Sequence, residues 1–507
     1  MEKRLIFAVV LSSLVLMFWS GIFSPAKRIA VKEVAPQNLT ASTPLPPPAI
    51  DAPLVAELEQ ASTLKYENKN CEITFIENYA AIKEITFKNF QNHKMPLGYG
   101  FLFGGKDLNF KKDFINENQA RFVQSDSIKK ISKDFIFSKT NNTISLEINV
   151  QSESATPLVL NLPLVLGIQD FTANNAQTRY QDMVVAVAAK EKPLYLSPRK
   201  NQEFSGIRFL GLRDRYFCAI ISPDLGNYTA VVKTLTPQIS EVSLLPAEIK
   251  LLPNQSWKGN FAIYLGPQDL RIINSLRPEW SAMVNFGFFD FIAQLLLQLL
   301  AFLNGVFHNL GVAIILLSVV VYLVLYPLTL KQMRSMKEMQ LLQPKIEELR
   351  KIYKDNAQKL NKEIMELYKK HKVNPFGGCL PLILQMPIFF ALYQALSRSI
   401  ALKGATFLWI RDLSEPDRLF LLPMSIPVLG NEINILPIVM AIGMFIQQKT
   451  SMVATSGTSA EQQKMMLIIM PVMFGFIFYH MPSGLVLYWL INSVLTLINQ
   501  IRVSHAK

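Results

Sequence analysis

Near the C-terminal end, Tyr488, Asn492, Thr496 and Asn499 recur at steps of four, four and three residues inside an otherwise apolar run. On a helix that spacing puts all four on one face. Ser318, Tyr322 and Tyr326 repeat the pattern in the apolar stretch 311–330. Gln385 stands near the middle of the stretch 376–396, and Gln447 and Gln448 close the stretch 433–448. Hydroxyls and amides of this kind donate and accept hydrogen bonds and hold water, but none is a strong nucleophile without a base beside it. Polar groups facing hydrocarbon are costly, so these faces must turn toward one another or toward water. Two roles fit. They form a wet intramembrane surface that handles polar peptide, or they glue helices together at about 0.6 kcal/mol per hydrogen bond. The chain has no phosphate-binding loop, no nucleophile paired with a base, and no intramembrane His or acid pair for proton relay. No enzymatic activity, cofactor or metal site is therefore expected.

The elements that must carry these residues are membrane spans. Half of the 507 residues are apolar, and apolar stretches at 311–330, 376–396, 433–448, 465–481 and 483–501 follow a first one behind Lys3 and Arg4. These make six spans. Residues 331–372 carry 12 Lys/Arg against 6 Asp/Glu, whereas 397–434 carry four of each. An excess of basic residues marks the cytoplasmic side, so 331–372 faces the cytoplasm, 397–434 faces outward and both termini are cytoplasmic. The net charge of +13 thus has a membrane explanation and does not call for a DNA partner. The stretch 465–479 is short for a bilayer and is interrupted by Pro471 and Gly475. A short span thins the bilayer around it or drives oligomerisation.

The remaining segments follow from composition. Residues 1–23 read as an uncleaved signal anchor and 24–59 as a Pro-rich linker. Residues 60–270 alternate apolar and polar positions, as in "TISLEINV", "IKEITFKNF" and "NFAIYLG", and predict a β-sandwich on the far side of the membrane from Lys3. A sugar-processing role for that domain has little support: its only histidine is His93, and its acids show no acid/base pairing. Cys71 and Cys218 are compatible with one disulfide or with two separate buried thiols. In 271–310, Asp290, Gln294, Gln298, Ala301, Gly305 and His308 draw a narrow polar stripe that predicts an interfacial amphipathic helix. Residues 331–373 predict a helical hairpin, its second arm starting at a capping box of Asp355 and Gln358 and packing through Leu360, Ile364 and Leu367. Its basic excess suits anionic lipid or ribosomal RNA. A transporter or channel is the rival reading of such spans, but it predicts paired intramembrane charges or repeated halves, and the sequence has neither.

Four segments, "YPLTLKQMRSMKEMQLLQPKIEEL", "YKKHKVNPFGGCLPLILQMPIFFALYQAL", "FLWIRDLSEPD" and "MPSGLVLYWLINSVLTLINQ", closely resemble the YidC membrane protein insertases of Gram-negative bacteria and their Oxa and Albino relatives. The resemblance implies a periplasmic all-β supersandwich and an α-helical core, residues 311–507, of five spans around a hydrophilic groove. It also implies an inner-membrane location, with residues 24–310 periplasmic. Hydrophobic segments of nascent membrane proteins would pass from the cytoplasm through that groove into lipid, alone or with the Sec translocon. By position, Ser318, Tyr322, Gln385, Gln448, Tyr488, Trp489 and Asn492 are implied to lie in or near the groove, with Thr496 on the same face. Two departures stand out. Tyr322 occupies the place where relatives usually carry a groove arginine, and the tail "IRVSHAK" is short, so ribosome contact would fall to the cytoplasmic loops.

Overall fold

The computed structural model describes residues 61–105, 108–139, 141–171, 181–354, 356–371, 373, 380–426, 430–451 and 458–505. The expected signal anchor and linker, Asp355 of the predicted capping box, and the stretch 374–379 before Gln385 lie outside these residues. The chain divides into two compact units at Asn285/Phe286.

The first unit is built from antiparallel strands. Thr143–Ser152 buries Ile144, Leu146, Ile148 and Val150 and exposes Ser145, Glu147 and Gln151, the outcome expected of a period-two pattern. It lies inside a nine-stranded sheet whose order runs 194–196, 182–187, 207–213, 217–223, 256–267, 143–152, 129–137, 119–125, 111–115. One four-stranded sheet comprises 63–67, 71–76, 81–87 and 93–100, and another comprises 164–170, 239–246, 228–236 and 202–205. Aromatic contacts join the first of these to the nine-stranded sheet. The Phe75 ring lies 5.5 Å from Phe122 and 5.1 Å from Phe135, and Phe87 stacks on Phe217 at 4.2 Å. The short helix α1, Leu270–Leu276, is capped by Asp269, whose side chain accepts from Arg271 N and Ile272 N.

Cys71 and Cys218 are both buried and free. Burial raises both thiols, Cys71 to about 11. Of the two arrangements the sequence allows, the fold has the separate thiols. His93, the lone histidine of this unit, stacks on Phe217 at 4.6 Å and holds Nε2 3.7 Å from Asp214 Oδ2. Lys133 is fully buried and donates through Nζ to the carbonyl oxygens of Ala80 (2.6 Å) and Phe101. Burial, with no carboxylate partner among the described residues, pushes its ammonium well below the usual lysine range.

The second unit is helical: α2 Asp290–Phe307, α3 Leu310–Ile352, α4 Ala357–Lys370, α5 Leu380–Arg398, α6 Ile435–Ser451, α7 Thr458–Phe478 and α8 Ser483–His505. Among the described residues, the helices long and apolar enough to cross a membrane lie at 287–307, 310–352 and 483–503, with shorter apolar helices at 435–450 and 467–478. The polar stripe on α2 is anchored by Asp290, which accepts from Gln294 Nε2 (2.8 Å) and from Phe286 N (2.8 Å). Its helix ends at His308 in the left-handed region, and Asn309 caps α3 by accepting from Val312 N at 3.0 Å.

Three local expectations are revised. The second span and the first hairpin arm are one helix, 43 residues long despite Pro327 and Pro344. The second arm is capped by Asn356, which accepts from Lys359 N at 3.0 Å, one residue beyond the predicted start. Helix α7 runs unbroken through Pro471 and Gly475. The glycine instead admits α6, because a Cβ there would lie 3.1 Å from the Ala441 Cβ. The hairpin closes on Leu342, Ile346 and Val373, with Ile364 and Leu367 packed against them.

Candidate functional site

Helix α8 packs on α3 and on α6, and touches α5 more lightly. Its polar face divides into two kinds of residue. The outer members reach other helices: Gln385 Nε2 of α5 donates to the Tyr488 hydroxyl at 3.0 Å, and Asn499 Nδ2 donates to the Tyr322 hydroxyl of α3 at 2.8 Å. The inner members fold back on their own helix, Asn492 Nδ2 to Tyr488 O (3.0 Å) and Thr496 Oγ1 to Asn492 O (2.7 Å). Tyr488 and Asn499 are buried, whereas Asn492 and Thr496 stay half-buried between them. From Tyr488 to Asn499 the helix rises about 16 Å. A polar surface therefore spans several turns, clamped to neighbouring helices at its two ends.

The other expected site residues are placed variously. Tyr322 is half-buried, its ring 6.2 Å from that of Tyr326. Ser318 is fully buried and donates to Ile314 O of its own helix at 2.8 Å. Gln448 is half-buried in the last turns of α6, near where Thr450 Oγ1 meets Gln500 Oε1 of α8 at 3.2 Å. Trp489, implied by resemblance to lie in or near the groove, joins an aromatic cluster. Its ring lies 5.3 Å from Phe389 of α5, and 5.8 and 5.3 Å from Phe474 and Phe478 of α7. That cluster ties three helices together. Phe474 and Phe478 were legible only as an i, i+4 apolar pair.

A second polar assembly, which the sequence reading missed, holds one end of the bundle. Asp417, 2% exposed, accepts through Oδ2 from Ile435 N (2.9 Å), Leu436 N (3.0 Å) and Trp409 Nε1 (3.2 Å). It thereby satisfies the first amides of α6 from a distant loop. Asn434 donates to Tyr479 O at 2.8 Å and accepts from Arg418 N at 2.9 Å, and Arg418 pairs with Glu432 at 2.8 Å. Ser483 N and Gly484 N, opening α8, donate to Glu415 O and Leu413 O. The loop 411–418 thus staples the starts of α6 and α8 to the end of α7. At the other end of the bundle, Lys337 Nζ of α3 donates to Val503 O of α8 at 3.1 Å. No cluster of metal-ligating side chains occurs among the described residues.

Apolar helices that turn amides and hydroxyls toward one another, together with a basic helical hairpin, define a polytopic membrane protein with a polar surface between its helices. A family model described as 60Kd inner membrane protein matches residues 302–507, and one described as YidC periplasmic domain matches 111–299. The membrane protein insertase YidC of Geobacter metallireducens is 31% identical over 546 aligned residues, covering 99% of this chain and 98% of its own. The YidC of Geotalea uraniireducens is 32% identical with coverages of 99% and 98%, and that of Geobacter sulfurreducens 32% with 100% and 99%. The chain belongs to the YidC family of membrane protein insertases.

Proposed function

We propose that the half-buried polar surface between α3, α5, α6 and α8 is the route by which hydrophobic segments of nascent membrane proteins, with their short polar tails, leave the cytoplasm and enter the bilayer of the bacterial inner membrane. Tyr322, Gln385, Gln448, Asn492 and Thr496 line this route, Ser318 and Tyr488 brace its floor, and Trp489 fixes the helices that form its wall. The observation that carries the reading is the state of Asn492 and Thr496. If the polar face served only as glue, its central members would reach across to other helices. Their hydrogen bonds go to carbonyls of α8 instead, and their half-buried side chains keep capacity for water or peptide.

Around this route the chain is organised as a signal anchor (1–23), a linker (24–59), a periplasmic β-domain (60–270), an interfacial helix (271–310) and a five-span core (311–507) whose hairpin (331–373) receives clients. Six spans leave both termini cytoplasmic. The Sec translocon assists with larger clients, and the basic hairpin and loops meet anionic lipid or the ribosome. The charge imbalance of 331–372 supports this orientation.

The test uses purified full-length protein in sealed liposomes with a small, short-tailed client, scored as protease-protected product while ion leakage is recorded. The wild-type chain is expected to give protected product without leakage. Replacing Asn492 with Leu and Thr496 with Val is expected to lower the yield at least about fivefold, the equivalent of roughly 1 kcal/mol, with the fold unchanged. Leakage without protected product would overturn the reading in favour of a pore.

A further inference from the structure

The outward face of the nine-stranded sheet holds a cleft of about 740 Å³. Its floor is built by register. Val123 stands opposite Lys111 on one side and Ser132 on the other, Ser132 stands opposite Asn149, and Lys130 stands between Ser125 and Gln151. All of these line the cleft. Lys111, Lys112 and Lys130 are exposed and form no ion pair among the described residues, whereas the fourth cation, Arg121, is committed to Asp134 at 2.5 Å. Asp113 is the lone acid among the described lining residues. The half-buried Asn149 also lines the cleft, its Oδ1 buried and without a hydrogen-bond donor among the described residues.

The chemistry of this cleft selects its occupant. Three unpaired ammonium groups call for an anion. The floor of hydroxyls and amides calls for a ligand carrying its own N–H and C=O groups. Among the described residues no aromatic ring lines the cleft and Val123 is its only aliphatic side chain, so these residues offer neither a sugar platform nor an acyl-chain slot. Lys111 and Lys130 lie two strands apart and two residues out of register, a backbone separation of roughly 12 Å. On an extended chain that separation matches carboxylates four residues apart on one face.

We propose that this cleft binds acidic, extended polypeptide segments. The inference goes beyond the insertion route and uses that reading only for the source of the segments. Basic residues are held back on the cytoplasmic side of membrane proteins, so the tails that cross are the relatively acidic ones.

The test is fluorescence polarisation with full-length protein in zwitterionic nanodiscs. The probe is a dye-labelled Gly/Ser peptide carrying aspartates four residues apart, with its Asn counterpart as control. Saturable binding of the Asp peptide is expected. Changing Lys111, Lys112 and Lys130 together to Gln is expected to weaken it about tenfold, since each exposed pair contributes modestly. The same lysines changed to Arg retain binding, and Asn149→Leu weakens it. Hydrogen exchange over 119–125 checks that each variant stays folded. Undiminished affinity in the Gln variant would move binding to the basic hairpin and overturn the proposal. Equal affinity for the Asn peptide would also overturn it, as would stronger, lysine-dependent binding of an oligoglucuronate. Insertion is not measured, so failure here leaves the insertion route standing.

Discussion

Tyr322 is half-buried on α3, and its surroundings define what its hydroxyl can do. Its hydroxyl accepts from Asn499 Nδ2 at 2.8 Å, which leaves the phenolic proton for water or a passing peptide group. No cation lies within 311–330, so an acidic tail entering here meets dipoles rather than a fixed charge. Tyr322→Phe is expected to lower insertion of short-tailed clients two- to fivefold, the scale of one hydrogen bond, with acidic and neutral tails affected alike. Tyr322→Arg is expected to raise insertion of acidic-tailed clients selectively. Liposome insertion assays with paired Asp and Asn tails check both. Identical yields across wild type, Phe and Arg would show that this hydroxyl plays no part.

Among the elements, helix α6 depends on a residue outside itself. Asp417 supplies the acceptor that the first amides of α6 lack, and it holds Trp409 with the same oxygen. Asp417→Ala removes three hydrogen bonds to a nearly inaccessible carboxylate and is expected to cost about 2 kcal/mol. Asp417→Asn keeps an acceptor and should cost about half as much. Hydrogen exchange at the Ile435 and Leu436 amides checks this, with fast exchange in the Ala variant and intermediate exchange in the Asn variant. Such a cap was illegible in the sequence because donors and acceptor stand 18 and 19 residues apart, and no local spacing records a long-range cap. The alternation in Thr143–Ser152 was legible because burial of one sheet face dictates it. The polar stripe of α8 was legible as a stripe, but which members clamp and which stay half-buried depends on where α3 and α5 lie. The unbroken length of α3 was hidden by the change from apolar to basic residues at Lys331. That change marks a difference of solvent along one helix, not an end of the helix. The resemblance placed Trp489 in or near the groove, but only packing reveals that its ring meets Phe389, Phe474 and Phe478.

For the molecule as a whole, pH and bilayer act on different units. In the β unit, Lys133 is buried with no anion beside it among the described residues, so its folded-state pKa lies well below its unfolded value. The unfolded chain then binds more protons than the folded one between those two values, and stability falls as pH drops through that window. Relative to Lys133→Met, the wild-type unit is expected to lose stability on acidification from pH 8 to 6. Hydrogen exchange across 129–137 measures the difference, and parallel pH profiles would show that Lys133 stays charged in the fold. Working below pH 8 limits the opposing effect of Cys71 and Cys218, whose raised thiols cost stability as pH rises above the unfolded thiol range.

In the helical unit the controlling quantity is length. The apolar part of α7, 465–478, and that of α6, 435–450, would measure about 21 and 24 Å as helices against a hydrocarbon core of roughly 30 Å. Lipid that thins to meet them does so at a cost of fractions of a kcal/mol per ångström. A thinner bilayer shortens the path a polar tail travels and relieves that mismatch, whereas a thicker one adds to both. Insertion yield is therefore expected to rise as acyl chains shorten, with protein content and orientation held constant. Lengthening the apolar part of α7 by one helical turn of leucines should shift the optimum toward thicker membranes. A yield that ignores acyl length in both proteins would remove thinning from the mechanism and leave hydration of the face bearing Asn492 and Thr496 to lower the barrier alone.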